Sequence, residues 1–320
     1  MAEARSAPAA AGVDALFRAH ERALFGLAYR LTGCAADAEE VVQETFVRAL
    51  AAPPKRTADP WLPWLVRVAT NLSLDVLRRR RRRREDRATW LPAPIATEPD
   101  DPVLALPAPA GESPGQRYER LESATFAFLL ALEALTPRQR AALVLCDVCG
   151  HSAREDAAAL DASEPSVRVL LHRARRALAG YDGSRCLPDA GLAERTQRAL
   201  ARFLECLLAG DAAGLAELMR DDVRTVTDAG GEFNALRAVR VGRVGVARFH
   251  LRVAARRGPG ARVVACVANG LPALAITFAH AGPRQAPRVL LRCELDRTGR
   301  IAAIHSVLSA RKLARVRFEA

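Results

Sequence analysis

Residues 162–180 read ASEPSVRVLLHRARRALAG, and this stretch predicts a short helix with its entrance chemistry attached. Ser163 is placed to cap the first turn, and Pro165 suits a first-turn position where a missing N–H costs nothing. Val167, Leu170, Leu171, Ala174 and Leu178 recur at three- and four-residue steps and form one buried stripe. Ser166, Arg168, His172, Arg173, Arg175 and Arg176 are left on the outside. A cationic outer face on a short helix is what a major-groove reader needs, although a solvated surface helix has the same pattern.

The residues upstream decide between the two. Thr136-Pro137 has N-cap and first-turn chemistry for a helix through Val148, which Gly150 stops. A second short helix, 152–160, turns through Asp161-Ala162 into the basic helix. Helix, short helix, tight turn and basic helix make a helix-turn-helix.

The chain has 320 residues, room for two or three domains. Its 48 basic and 36 acidic side chains give a net charge of +12, which favours a polyanionic partner. Residues 194–320 carry 22 basic and 11 acidic side chains, so nearly all of the excess lies there. Charge alone therefore does not locate a DNA site. No apolar run reaches the roughly 18 residues of a membrane span, and no charged patch followed by an apolar stretch opens the chain, so a cytoplasmic protein without membrane contact is expected. Seven scattered cysteines read as reduced thiols. Cys146 and Cys149 have CxxC spacing but no second ligand pair, so they read as small core residues, and neither a metal nor a cofactor is expected.

Phe17 to Leu50 reads as two or three helices broken at Thr32-Gly33-Cys34. Asp37 is expected to cap the second, with Glu40 three residues on in a capping box. Val41, Thr45, Phe46, Ala49 and Leu50 face inward, while Asp37, Glu40 and Glu44 form an acidic strip, solvated or facing a protein partner. A third helix carries Trp61, Trp64, Leu65, Val68, Leu72, Leu74 and Leu77 into seven consecutive arginines, Arg78 to Arg84. Aromatics beside cations suit unpaired DNA, because bases stack on rings while guanidinium groups neutralise phosphates. Two tryptophans at i and i+3 are equally compatible with a core, and the arginine run with a nonspecific nucleic-acid tail.

The segments ADAEEVVQETFVRAL (36–50), WLVRVATNLSLDVLR (64–78), LTPRQR (135–140) and LHRAR (171–175) resemble, in order, the two modules of the extracytoplasmic-function sigma factors. The likeness covers residues 12–84 and 118–182, with residues 1–11 a disordered N-terminus. It implies that Asp37, Glu40, Val41, Gln43, Glu44 and Phe46 grip the clamp helices of the β′ subunit of core RNA polymerase. It further implies that Asp59, Trp61, Trp64, Arg67, Asn71, Asp75, Arg78 and Arg79 melt and read the −10 element. Ser163, Ser166, Arg168, His172, Arg173, Arg175 and Arg176 match the −35 reader, whose module meets the β flap. Two positions depart from the family pattern. Asp156 stands where an aliphatic side chain is usual, so an unpaired buried carboxylate there would be costly. Asp161 replaces a turn glycine, a milder change because aspartate tolerates left-handed backbone.

Residues 85–117 hold seven prolines and few bulky side chains outside Trp90-Leu91, the composition of an extended connector. Trp90, Leu91 and Pro92 read as a docking element and resemble the linker signature of sigma factors with a SnoaL-like tail, with Ala93 where a glutamate is common. From residue 194, two helices joined near 209–211 precede candidate strands near 223–227, 261–268, 273–279, 288–295 and 301–307. The expected fold class is therefore two mainly α modules followed by an α+β domain. The order of these elements and the segments FLECLLAGD (203–211), Asp222-Val223 and VANG (267–270) resemble the SnoaL-like cone, a curved sheet wrapped by helices around a pocket.

Asp228, Gly230 and Gly231 resemble a glycine-rich loop of such tails, with Glu232 for the usual lysine. Lys312 and Leu313 are what remain of a second motif, near the cationic Arg311, Arg315 and Arg317. The resemblance implies a sigma factor directing promoter-specific initiation and regulated in cis by its tail, with core polymerase and promoter DNA as partners and no catalytic residues. The tail's charge could lean on the acidic strip or hold the DNA modules together. The alternatives are a small-molecule effector in the C-terminal pocket, a catalytic tail using Asp228, His250, His280 or His305 as base, or a DNA-binding regulator independent of polymerase.

Overall fold

A computed structural model describes residues 10–51, 61–83, 89–97, 125–184 and 190–319. Asp59, most of the linker, residues 118–124 and residues 1–9 of the expected disordered N-terminus lie outside these. Among the described residues, packing divides the chain into two compact units. One contains residues up to Arg82 together with 131–179, and the other contains 89–97, 125–130 and 180–319.

The first unit opens with helix α1 (Ala10–Thr32), which starts two residues inside the stretch expected to be disordered. The antiparallel α2 (Ala35–Ala51) packs on it, followed by α3 (Trp61–Arg83). The break falls at Thr32-Gly33-Cys34 because Gly33 takes a left-handed φ of 66°, while the Thr32 hydroxyl receives the Cys34 amide. Asp37 is therefore not the cap of α2. It is the third residue of the helix, where its charge still favours the N-terminal dipole.

Helix α4 (Phe126–Ala131), all but its last residue counted in the second unit, precedes in sequence a 3-10 turn (Leu132–Ala134) and α5 (Pro137–Leu143), whose capping box joins Thr136 and Gln139. The continuous helix expected through Val148 instead widens into a π-helical segment over Val144–Val148. Helix α6 (Ala153–Leu160) carries a second capping box, Ser152 with Glu155, and ends on Asp161 in left-handed backbone. Helix α7 (Glu164–Ser184) follows.

Two arginines lock this unit from inside. Arg140 is buried and donates to the carbonyls of Leu31 (2.8 Å) and Leu132 (3.2 Å) and to the Glu133 carboxylate. Arg80, inside the arginine run, pairs with the same Glu133 at 2.6 Å and also reaches the Thr32 carbonyl. One member of the run is thus structural rather than free for nucleic acid.

In the second unit, α8 (Ala190–Ala209) and α9 (Ala212–Glu217) precede β1 (Met219–Asp228), β2 (Arg240–Val241), α10 (Arg243–Arg257), β3 (Ala261–Ala268), β4 (Leu271–Phe278), β5 (Arg288–Leu295) and β6 (Ile301–Val307). The strands form one sheet in the order β2-β1-β6-β5-β4-β3, parallel only between β1 and β6. The five expected strands are present. Strand β2 and helix α10 were not foreseen; α10 buries only Val246, Ala247 and His250 and carries a glycine, Gly245, in its first turn.

Alternation along the strands supplies two buried faces. Leu274, Leu291, Cys293 and Ile304 pack with Leu200, Phe203, Leu215 and Val246 from the helices. The other face, with Ala273, Ala275, Leu290 and Val307, is covered by Leu91, Phe126, Leu313, Val316 and Phe318. Linker and C-terminus thus serve as the second layer of the sandwich.

Candidate nucleic-acid interface and linker clasp

Ser163, just before α7, and Ser166, Arg168, His172, Arg173, Arg175 and Arg176 on it are all exposed, opposite the buried Val167, Leu171, Ala174 and Leu178. Their environments differ. Arg168 forms an i,i+4 pair with Glu164 at 2.5 Å, and Ser163 caps the Ser166 amide at 3.4 Å. Arg175 lies at the edge of the buried stripe and clamps both oxygens of Asp147 at 2.6 and 3.1 Å, which raises its already high pKa. That fork ties α7 to the π-helical segment, leaving His172, Arg173 and Arg176 as its outward group.

Asp156, for which the departure from the family pattern left a tilted helix, a paired carboxylate or an exposed site open, is fully buried at 0 % exposure. His151 Nδ1 stands 3.4 Å from it, and the Cys146 thiol lies beside it. Burial raises the Asp156 pKa, against a lowering pull from His151 and Cys146. The same burial, with the carboxyl next to it, pushes the Cys146 thiol up to about 12, so the thiol stays protonated. Cys146 is therefore a neutral neighbour of a buried acid. Exposed Glu155 has its pKa lowered by the Ser152 backbone and hydroxyl that it caps.

On α3, Trp61 and Trp64 are half-buried and meet edge to face at 6.1 Å. Arg67, Asp75, Arg78 and Arg79 are exposed, with Asn71 intermediate and Arg78 paired to Asp75 at 2.9 Å. On α2, Glu40 and Gln43 are exposed and Asp37 and Glu44 are partly so, with Glu44 held by Arg48 at 2.9 Å. Val41 and Phe46 lie underneath, Phe46 against the Phe17 ring at 4.9 Å, and so they support this surface from within.

The linker and tail residues singled out from sequence meet in one clasp. Asp228, at the end of β1, accepts the Leu91 amide at 2.8 Å and the Gly230 amide at 2.9 Å. Lys312 reaches the same carboxylate at 2.6 Å, bonds the Leu91 carbonyl, and lies 4.2 Å from the centre of the Trp90 ring. Pro92 and Ala93 are buried, and Leu91 packs with Leu313 on the outer face of the sheet.

Gly230 is required here, since a side chain would come within 2.7 Å of the Ser309 hydroxyl at a φ of +59°. Gly231 is also left-handed. Glu232, in the place of a lysine, accepts from the Ser309 hydroxyl at 2.6 Å and the Ala310 amide at 3.2 Å. Farther along the linker, Ile95 and Asn269 exchange hydrogen bonds, Ala96 donates to the Arg315 carbonyl, and Thr97 donates to the Val267 carbonyl. Arg315 thus contributes main chain. Asn269, with φ of 53°, lies in the 267–270 segment of the SnoaL-like resemblance but was not expected to be a site residue, although the Asn-Gly pair marks its turn.

The four candidate bases do not share a site. His250 is buried in the inner core beside Phe203 and Thr225, and burial lowers its pKa to about 4. His305 lies on the other face against Phe126, also lowered to about 4 by burial. His280 is exposed beyond β4, and Asp228 is occupied by Lys312 and two amides. An open polar hollow of about 440 Å³ is lined by Arg220, Asp221, Asp222, Asp296, Thr298 and Arg300, away from the inner core.

Among the described residues no group of three acidic, histidine or cysteine side chains could hold a metal, and no helix is long and apolar enough to cross a membrane.

Residues 16–83 match the family model for sigma-70 region 2, and residues 125–178 match that for sigma-70 region 4. The chain is 37 % identical over 248 residues to the ECF RNA polymerase sigma factor SigJ of Mycobacterium tuberculosis, spanning 76 % of this chain and 74 % of that protein. It is 33 % identical over 310 residues to SigG of the same species, spanning 89 % and 78 %. The crystal structure of M. tuberculosis SigJ superposes with a TM-score of 0.71 at 27 % identity, covering 96 % of this chain and all of that one.

Proposed function

Because the chain belongs to the extracytoplasmic-function sigma factors of RNA polymerase, we propose that it directs core polymerase to a limited set of promoters, and that its fused SnoaL-like domain controls this step by holding the linker. In this reading the outward group of α7, with Arg168, Ser163 and Ser166, reads the −35 element in duplex DNA. Arg175 holds that helix at the required angle through Asp147. Trp61, Trp64, Arg67, Asn71, Asp75, Arg78 and Arg79 engage the −10 element, together with Asp59, as opened strands that stack and pair with cations. Asp37, Glu40, Gln43 and Glu44, supported by Val41 and Phe46, meet the clamp helices of β′, while the module around α5 to α7 meets the β flap.

The observation that carries the regulatory part is the clasp. A connector with its main chain bonded to Asp228, Asn269, Val267 and Arg315, and its tryptophan covered by Lys312, is constrained by the tail. A tethered contact needs little affinity of its own to act. The tail supports regulation rather than catalysis, since its candidate bases lie on opposite faces of the sheet and one is tied up in the clasp. Reconstituted transcription with bare core polymerase tests both parts. The intact protein is expected to initiate at its promoters, and loosening the clasp or removing residues beyond about 190 is expected to change the output. Failure to initiate on any promoter refutes the sigma reading, and identical output from clasp variants refutes the cis-regulatory one.

A further inference from the structure

Helix α10 has the sequence RVGVARFHLRVAARR, with no acidic residue. Its buried side faces the inner core through Val246, Ala247 and His250. Arg248, Arg252 and Arg256 stand exposed on the other side at i, i+4 and i+8. Among the described residues none of the three has a carboxylate partner, whereas Arg243 at the start of the helix is paired with Asp221 at 3.1 Å. Helix α8 of the same domain follows the opposite rule. There Arg198 stands near Glu194 and Arg202 pairs with Glu205.

Like charges four residues apart weaken a helix, so three in a row without carboxylates oppose folding. The C-terminal dipole offsets only the last of them. The spacing suggests what would balance them. Four residues rise about 6 Å along a helix, and one DNA strand carries a phosphate for about every 3.4 Å of the duplex axis. A helix lying along a strand would bring all three guanidinium groups against phosphates of that strand, each able to make a forked, charge-assisted bond.

We propose that the Arg248–Arg252–Arg256 stripe of the tail grips the phosphate backbone of promoter DNA, independently of base sequence. The proposal rests on the sigma-factor reading, which supplies the DNA, and it gives the tail a direct role in the complex besides holding the linker. Besides arginine, the exposed residues of α10 are Val244, Val253 and Ala255, which offer no hydrogen bond to a base edge, and the proposal assigns the three guanidinium groups to phosphates. Its contribution is therefore to affinity and salt dependence, not to specificity.

The test uses the full-length protein with core polymerase and promoter DNA, comparing the natural chain with the triple variant Arg248→Gln, Arg252→Gln, Arg256→Gln and with the corresponding triple lysine variant. Log affinity is measured against log salt concentration. The glutamine variant is expected to lose about 0.9 of slope per arginine replaced, with promoter choice unchanged, and the lysine variant is expected to restore most of the slope. Arg252→Gln alone, with a slope change of about 0.9, answers the question if the triple variant misfolds by circular dichroism. An unchanged slope while the natural protein still initiates specifically overturns the stripe and leaves the sigma reading intact. A loss that appears equally in polymerase affinity without DNA assigns the stripe to an acidic protein surface and overturns the proposal, as does a change in promoter preference.

Discussion

Asp156 lies with 0 % exposure in a helix-turn-helix whose other inward positions are apolar apart from Arg140, and neither of its oxygens has a hydrogen-bond partner of good geometry among the described residues. An unsatisfied buried acceptor costs about 1–3 kcal/mol, and exchanging such a group for an apolar one of similar volume recovers that amount. Asp156→Val adds little volume and is expected to stabilise the module by about 1–3 kcal/mol at neutral pH. In a module of this size each kcal/mol moves the melting temperature by about 4–8 °C. The sign with pH follows from the raised pKa. The folded state holds the Asp156 proton to a higher pH than the unfolded chain, so the natural protein is favoured below the unfolded value of about 4. It loses that contribution as pH rises through the folded value. The advantage of the valine variant should therefore be smallest in acid and grow towards neutrality.

Hydrogen exchange of the α5 and α6 amides in the full-length chain, corrected for intrinsic rates, reads this locally. Asp156→Asn, which keeps the polarity and removes the titration, should abolish the pH dependence with little gain. A valine variant less stable than the natural protein at neutral pH would refute the reasoning, because the carboxylate would then be a net stabilising partner of His151.

Three further outcomes follow from the geometry. Lys312→Met leaves Asp228 with its amide partners but without its buried cation, and breaking such a pair costs about 3–5 kcal/mol. Limited proteolysis between residues 89 and 97 should accelerate strongly while the melting of the sheet changes less. Arg140→Leu strips the Leu31 and Leu132 carbonyls of a donor and leaves Glu133 to Arg80 alone. A loss of about 3–5 kcal/mol in denaturant unfolding of the first unit is expected, and a loss below about 1 kcal/mol would mean that the bonds are replaced by water. Glu40→Lys with Glu44→Lys changes an exposed strip, so folding by circular dichroism should be unaffected while co-purification with core polymerase is lost.

Much of the first unit was legible because its signals are local. Thr136 with Gln139 and Ser152 with Glu155 announce helix starts within four residues, and Asp161 has the chemistry that its left-handed turn demands. The α7 stripe is written at helical period, so the exposed cations follow from the buried residues. Local signals also misled: Asp37 had the form of a cap, but Thr32 and Cys34 shape the turn and leave Asp37 inside the helix. Helix α10 escaped notice because a weak apolar side is enough for a helix that rests on a sheet already formed.

By itself, then, the sequence determined most of the helices and strands, the inward stripe of α7, and the order of the modules, because capping, periodicity and turn chemistry act over a few residues; β2, α10 and the exposure of Leu50, expected to face inward, were beyond it. Only the tertiary structure decided what each inward face meets. Composition made residues 89–97 part of a loose connector, yet Asp228, Asn269 and Lys312, each more than 130 positions away, bond its main chain. One arginine of an apparently uniform run, the partly buried Arg80, became a lock through Glu133. Hydrogen bonds and ion pairs reach only about 3 Å, and which distant partners come that close is fixed by packing, not by any local pattern.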